Sequence, residues 1–183
     1  AVLNTMKALA KRGSRVTILP VDASGIVSPD HLREAITDDT ALVSVMHANN
    51  ELGTIQPIAA LAAIAHEHGA LFHTDAVQSA GKIPLEVKAL GVDMASIAGH
   101  KFYGPKGTGA LWLKRGVRLV PPASGGRQER NRRAGTENVA GIVGTAAALR
   151  LAAAEREAYV RHCGRLRDRL VALGKKVRVR SGE

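Results

Sequence analysis

Three short apolar runs are each followed at once by polar side chains able to do chemistry. After Ala41 to Met46 comes His47-Ala48-Asn49-Asn50-Glu51. After Ala70 to Thr74 comes Asp75-Ala76-Val77-Gln78. After Val92 to Ile97 comes a longer stretch, Gly99-His100-Lys101-Phe102-Tyr103-Gly104-Pro105-Lys106-Gly107. If the runs are strands of one parallel sheet, their carboxyl ends form one edge, and that is where such sheets bind ligands. An amide, a carboxylate with a second amide, and a lysine would then converge. That set suits pyridoxal phosphate. Its aldehyde takes a lysine as a Schiff base, and its pyridine nitrogen needs a carboxylate to stay protonated and draw electrons. Lys101 can supply the first and Asp75 the second. Gln78 and Asn50 are candidates for the phenolic oxygen and the substrate side. The turn before Lys101, with backbone N–H groups and His100, can take the phosphate. On residue types alone, a merely structural pairing of Asp75 with Lys101 stays open.

The elements that would position these residues follow from apolar periodicity. Arg15 to Leu19 is short and β-branched and is expected as a strand. Ser28-Pro29-Asp30 predicts a helix start, with Ser28 as the cap and Pro29 in the first turn. Leu32, Ala35 and Ile36 give that helix one apolar face. Strands are expected at Ala41 to Met46, Ala70 to Thr74, Val92 to Ile97 and Gly109 to Leu113. An Ala-rich helix runs from Pro57 to about His68 and is closed by Gly69. His73 lies two residues before Asp75 and is expected on the same strand face, with no chemistry assigned. Strands alternating with helices predict an α/β fold with a mainly parallel sheet. Past residue 114 the pattern changes. Pro121 to Gly126 is irregular, and Arg127 to Arg133 is a basic loop. Val139 to Ala154 is apolar nearly all round, which predicts a buried helix. Tyr159, Cys163, Leu166, Leu170 and Leu173 continue as a helical apolar stripe. Val177 to Arg180 is expected to begin another strand.

Composition excludes several classes. The 183 residues contain one Cys, so neither a disulfide framework nor a Cys-rich zinc site is available. His66, His68 and His73 do not match HExxH, and no metal is expected. The longest apolar run, Ile58 to Ala65, is too short to span a bilayer. The net charge of +10 is uneven: residues 1–113 carry 9 basic and 10 acidic side chains, residues 114–180 carry 17 and 5. The basic part has no aromatic stacking platform, so a solvated Arg-rich surface is expected rather than nucleic-acid binding. Gly104, Gly107 and Gly109 lack the Lys-Ser/Thr ending of a nucleotide loop and are expected to form a tight turn. Lys106 follows Pro105 within that turn and is a weaker Schiff-base candidate than Lys101. Cys163, on the apolar stripe, is expected as a buried small hydrophobe rather than a nucleophile.

Four consecutive segments, HANNELGTIQPI, HTDAVQSAGKIPL, AGHKFYGPKGTGAL and GGRQERNRRAGTEN, resemble the signatures of the class V aminotransferase superfamily. Within it they are similar to cysteine desulfurases of the NifS/IscS type and to selenocysteine lyases. The resemblance covers essentially the whole chain. It implies the fold of the aspartate aminotransferase-like large domain, with pyridoxal phosphate as cofactor. Residues 1–150 would be most of that cofactor domain. Residues 151–183 would be a linking helix and the start of a small domain. The resemblance implies Lys101 as the Schiff-base lysine and Asp75 as the partner of the pyridine nitrogen. It further implies Gln78 at the phenolic oxygen, Asn50 beside cofactor and substrate, and His100 at the phosphate. Thr136 would reach the phosphate of a neighbouring subunit, which implies a homodimer, although Thr136 could also be a helix cap.

The chain departs from the pattern at Ala98, where many members have Ser, so one phosphate hydroxyl is missing. The ring-stacking histidine, the sulfur-accepting cysteine, the Gly/Thr phosphate loop and the substrate-carboxylate arginine would all fall outside these residues, so an internal segment of a longer protein is expected. The implied reaction takes sulfur from L-cysteine, leaving L-alanine and an enzyme persulfide that feeds a sulfur acceptor or scaffold protein in iron–sulfur or thiolation pathways. A cytoplasmic location is expected, without membrane attachment. Selenocysteine lyase and a truncated, non-catalytic fragment are the alternatives.

Overall fold

The computed structural model describes residues 2–174. In chain order the elements are α1 (Val2–Ala10), α2 (Pro29–Ala35), β1 (Leu42–Met46), α3 (Ile58–Glu67), β2 (Leu71–Asp75), β3 (Met94–Ala98), a 3-10 turn (Gly99–Phe102), β4 (Gly109–Leu113), α4 (Gln128–Asn131) and α5 (Val139–Gly174). The strands lie in one sheet in the order β1-β2-β3-β4, and the fold is α/β with a mainly parallel sheet, as the alternation of periods predicts. The described residues divide into two compact units: 2–75 with 86–95, and 76–85 with 96–174.

In the first unit β1 and β2 pair in parallel, with Ser44 opposite His73 and Met46 opposite Asp75. Both strands alternate: Val43, Val45, Phe72 and Thr74 are buried, while Ser44, Met46, His73 and Asp75 share the less buried face. His73 and Asp75 therefore stand on one face, as their spacing predicts. Parallel neighbours need a crossover, and α3 provides it. Its buried residues Ile58, Leu61, Ala62, Ile64 and Ala65 form one stripe, and α3 packs on β1, β2 and α2. Helix α2 starts as predicted: Ser28 Oγ accepts from the Asp30 N–H at 3.2 Å, with Pro29 in the first turn.

The segment Arg15–Leu19 corrects an expectation, because it is not a strand. β-branched residues favour a pleated surface only where a neighbouring strand completes the ladder. Here Ile18 is 64% exposed instead. The strand expected at Val177 to Arg180 lies outside the described residues.

A buried carboxylate fastens the unit. Asp93 is 4% exposed. Its Oδ2 accepts from the Phe72 N–H at 2.9 Å and lies 2.7 Å from His66 Nε2. The Asp93 N–H in turn donates to the Phe72 carbonyl at 2.9 Å. Removing this side chain orphans a buried backbone N–H and removes the contact with His66, whose side chain is 36% exposed. Asp93→Ala will lower the free energy of unfolding by about 2 kcal/mol. Urea titration will show it as an earlier midpoint with unchanged slope.

In the second unit β3 runs directly into the 3-10 turn that carries His100 and Lys101, and the chain returns along β4. The Gly99 N–H donates to the Thr108 carbonyl and the Gly104 N–H to the Gly99 carbonyl, both at 2.9 Å. The long helix α5 packs on this turn. Its first half is not buried, contrary to the all-round apolar pattern: Val139, Val143 and Leu151 are 67%, 61% and 61% exposed. Only one line of α5, with Gly141 and Thr145 at its buried centre, meets the unit. Apolar character drives burial only where other atoms are present to cover it.

Candidate functional site

The candidate residues fall into two groups, one on each unit. On the first unit, Asp75 stands at the carboxyl end of β2, and Asn50 lies in the loop that follows the adjacent parallel strand β1. Asp75 is the last residue of β2 and is half-buried. Its carbonyl accepts from the His47 N–H at 2.9 Å, and the His47 carbonyl accepts from the Gln56 N–H at 2.9 Å. His47 is buried, and burial lowers its pKa below the ordinary value, which favours the neutral ring. The two neighbouring asparagines divide their work. Asn49 Oδ1 accepts from the N–H groups of Glu51 and Leu52 at 2.8 and 2.9 Å, an Asx turn that fixes the loop. Asn50 is exposed beside it. The structural role in the Asn-Asn pair thus belongs to Asn49, and Asn50 is the one presented outward.

On the second unit, Gln78 sits in the turn after β2, and His100 and Lys101 follow β3. The Ala76 N–H donates to the Ser96 carbonyl at 2.9 Å, and Ser79 Oγ donates to the Ala76 carbonyl at 3.2 Å. These bonds hold the Gln78 turn against β3, so Gln78, His100 and Lys101 share one edge. Lys101 is half-buried and His100 exposed.

The lysine turn is tightly built. A Cβ on Gly99 would lie 2.9 Å from both Thr108 Oγ1 and Thr145 Oγ1 and 3.1 Å from the Pro105 carbonyl, so only glycine fits there. Thr108 Oγ1 donates to the Pro105 carbonyl at 2.8 Å and lies 2.6 Å from Thr145 Oγ1. A hydroxyl has one proton. Thr108 spends it on Pro105, so Thr145 donates to Thr108, and α5 is clamped to the loop that carries Lys101. Tyr103 ends the turn with a left-handed φ of 66°, a conformation disfavoured for a side-chain-bearing residue.

Sequence reasoning missed the cavity beside Lys101. It measures ≈ 240 Å³, and its walls include Lys82, Lys101, Tyr103, Leu151, Glu155 and Tyr159. Hydrogen bonds with Tyr103 and Cys163 raise the Tyr159 phenol to about 12. The signal was present as the i, i+4 spacing of Glu155, Tyr159 and Cys163. Cys163 is a free thiol, half-buried rather than buried. Thr136 is exposed in the loop between α4 and α5. It is not the cap of α5; Asn138 is, its Oδ1 accepting from the Gly141 N–H at 3.0 Å. Before that loop, Glu129, Arg130 and Asn131 all have left-handed backbone, with φ of 50°, 58° and 63°.

Among the described residues, no group of three or more His, Cys, Asp or Glu side chains could hold a metal ion. No described helix is long and apolar enough to cross a membrane.

The family described as aminotransferase class-V matches residues 1–177. The chain belongs to the aminotransferase class-V family. A relative named cysteine desulfurase IscS, from Methanosarcina thermophila, is 56% identical over 171 residues, which is 93% of this chain and 42% of the relative. Among solved structures, a NifS-like protein superposes with a TM-score of 0.90 at 46% identity, covering 93% of this chain and 47% of that one. A structure titled SspA in complex with cysteine gives a TM-score of 0.79 at 45% identity, over 81% of this chain and 44% of its own. The chain thus spans less than half the length of these class-V relatives.

Proposed function

We propose that the full-length protein is a pyridoxal phosphate-dependent cysteine desulfurase. The observation that carries this reading is the 56% identity, over 93% of the chain, to a relative named cysteine desulfurase. The structure titled as a complex with cysteine supports L-cysteine as the substrate.

The donor set fits the cofactor. Lys101 offers a primary amine, Asp75 a carboxylate, Gln78 an amide and His100 an imidazole, each just past a strand end. When bound, pyridoxal phosphate supplies a ring that accepts electron density from the substrate. In this reading Lys101 Nζ is the amine that would hold the cofactor's aldehyde carbon and the base that would carry the proton of the substrate α-carbon. The Asp75 carboxylate would keep a proton on the ring nitrogen. Gln78 would donate to the phenolic oxygen, His100 and the backbone of its turn would take the phosphate, and Asn50 would lie on the substrate side. The substrate sulfur passes to a cysteine thiolate of the full-length protein, leaving alanine and a persulfide. Cys163 is not that thiolate: it is half-buried and hydrogen-bonded to Tyr159.

The same reading places Thr136 at the phosphate of a second subunit. The exposed apolar side chains of Val139, Ile142 and Val143, which follow it on α5, support a homodimer. Residues 1–150 then belong to the cofactor domain and 151–183 to the link with a small domain, α5 running unbroken through the boundary. A sulfur acceptor or scaffold protein completes the pathway, and the location is cytoplasmic.

The test is to give the full-length, cofactor-loaded protein L-cysteine with a thiol reductant. Alanine and sulfide are expected in equal amounts. Turnover of selenocysteine alone, or amino transfer without release of sulfur, would overturn the reading.

A further inference from the structure

The less buried face of β1 and β2 carries a polar contact to which the reaction as described assigns no part. Ser44 and His73 are register partners, and Ser44 Oγ lies 2.8 Å from His73 Nδ1. Asp75 follows His73 on the same face, opposite Met46. Of the side chains that β1 and β2 themselves place on that face, with Leu42 and Leu71 the remaining two, His73 and Asp75 are the titratable ones. On the opposite face Thr74 Oγ1 donates to the Val45 carbonyl at 3.0 Å, which pins the strands in this register. Burial lowers the His73 pKa, and the neighbouring Asp75 charge raises it by less. The net effect favours a neutral ring.

We propose that Ser44 and His73 are positioning residues for Asp75. The Ser44 hydroxyl donates to His73 Nδ1, which places the ring proton on Nε2 and leaves an uncharged N–H donor next to the carboxylate. An uncharged donor orients Asp75 without cancelling its charge, so that charge remains available to the cofactor's ring nitrogen. A cation at position 73 would compete for it. This inference rests on the reading that Asp75 pairs with the ring nitrogen.

Two measurements on the full-length protein test it. In nitrogen-15 NMR of histidine-labelled, cofactor-free protein, His73 will show an unprotonated Nδ1 and a protonated Nε2 at neutral pH. Ser44→Ala will mix the tautomers. A protonated Nδ1 in the unaltered protein overturns the proposal. The second measurement is the affinity for pyridoxal phosphate by fluorescence titration. His73→Lys will weaken it on the order of tenfold, the size expected of one charge several ångströms from the carboxylate. His73→Gln, which keeps an uncharged N–H donor, will hold it close to that of the unaltered protein. Equal losses in both variants, or no loss in His73→Lys, overturn the proposal. Asp75→Asn tests the underlying reading separately. If Asp75→Asn leaves affinity unchanged, that reading fails and takes the inference with it. If Asp75→Asn weakens binding while His73→Lys does not, only the inference fails.

Discussion

Lys101→Ala will abolish the visible absorbance of the lysine-bound cofactor in the full-length protein and lower cysteine turnover by roughly 10²–10⁴-fold, the range for loss of a positioned acid–base group. Two functions leave with one side chain. On the proposed reading, the amine that would hold the aldehyde carbon is gone, and so is the group that would carry the substrate α-proton. The fold should survive, because Lys101 is half-buried and the turn is held by other groups: the Gly99 and Gly104 backbone bonds and the Thr145–Thr108–Pro105 chain. Lys106 is the internal control. It lies exposed in the same loop, and Lys106→Ala will leave the absorbance in place. Absorption spectra of both variants decide the matter. An unchanged spectrum in Lys101→Ala, or its loss only in Lys106→Ala, would move the attachment point and sink the assignment.

The second large effect is expected at Asp75. Asp75→Asn keeps the volume and removes the charge. On the proposed reading, the ring nitrogen would then lose the partner that keeps it protonated, and the electron-accepting power of the cofactor would fall. Turnover will drop by roughly 10²–10³-fold, the cost of removing one preorganised electrostatic partner. The effect will sit mainly in kcat, because the charge matters most as electron density reaches the ring. The backbone at Asp75 is fixed independently by the His47 N–H and by register with Met46, so the strand end will keep its position. Steady-state kinetics with L-cysteine will show the split. A loss confined to KM would assign Asp75 to ground-state binding instead.

The sequence by itself determined the order of most of the elements and the candidate residues at their ends. Short apolar runs marked the strands near residues 42, 71, 94 and 109, and Ser28-Pro29 and Gly69 marked helix boundaries, because these signals are local. Lys101, Asp75, Gln78, Asn50 and His100 were legible as candidates for the same reason: each directly follows an apolar run, and a strand's carboxyl end is where its next residues emerge. That His73 shares the Asp75 face followed from a spacing of two.

Only the tertiary structure decided the rest. Arg15–Leu19 has the composition of a strand but no ladder beside it, and pairing is what makes a strand. The first half of α5 is apolar all round, yet burial depends on what covers it. Asn138 rather than Thr136 caps α5, a choice between neighbours that backbone geometry alone makes. Asp93 with His66, Ser44 with His73 and Thr108 with Thr145 are contacts across 27, 29 and 37 residues. No local pattern encodes such pairs. Each forms because folding removes a polar group from water, and the group must then take the nearest partner the fold provides.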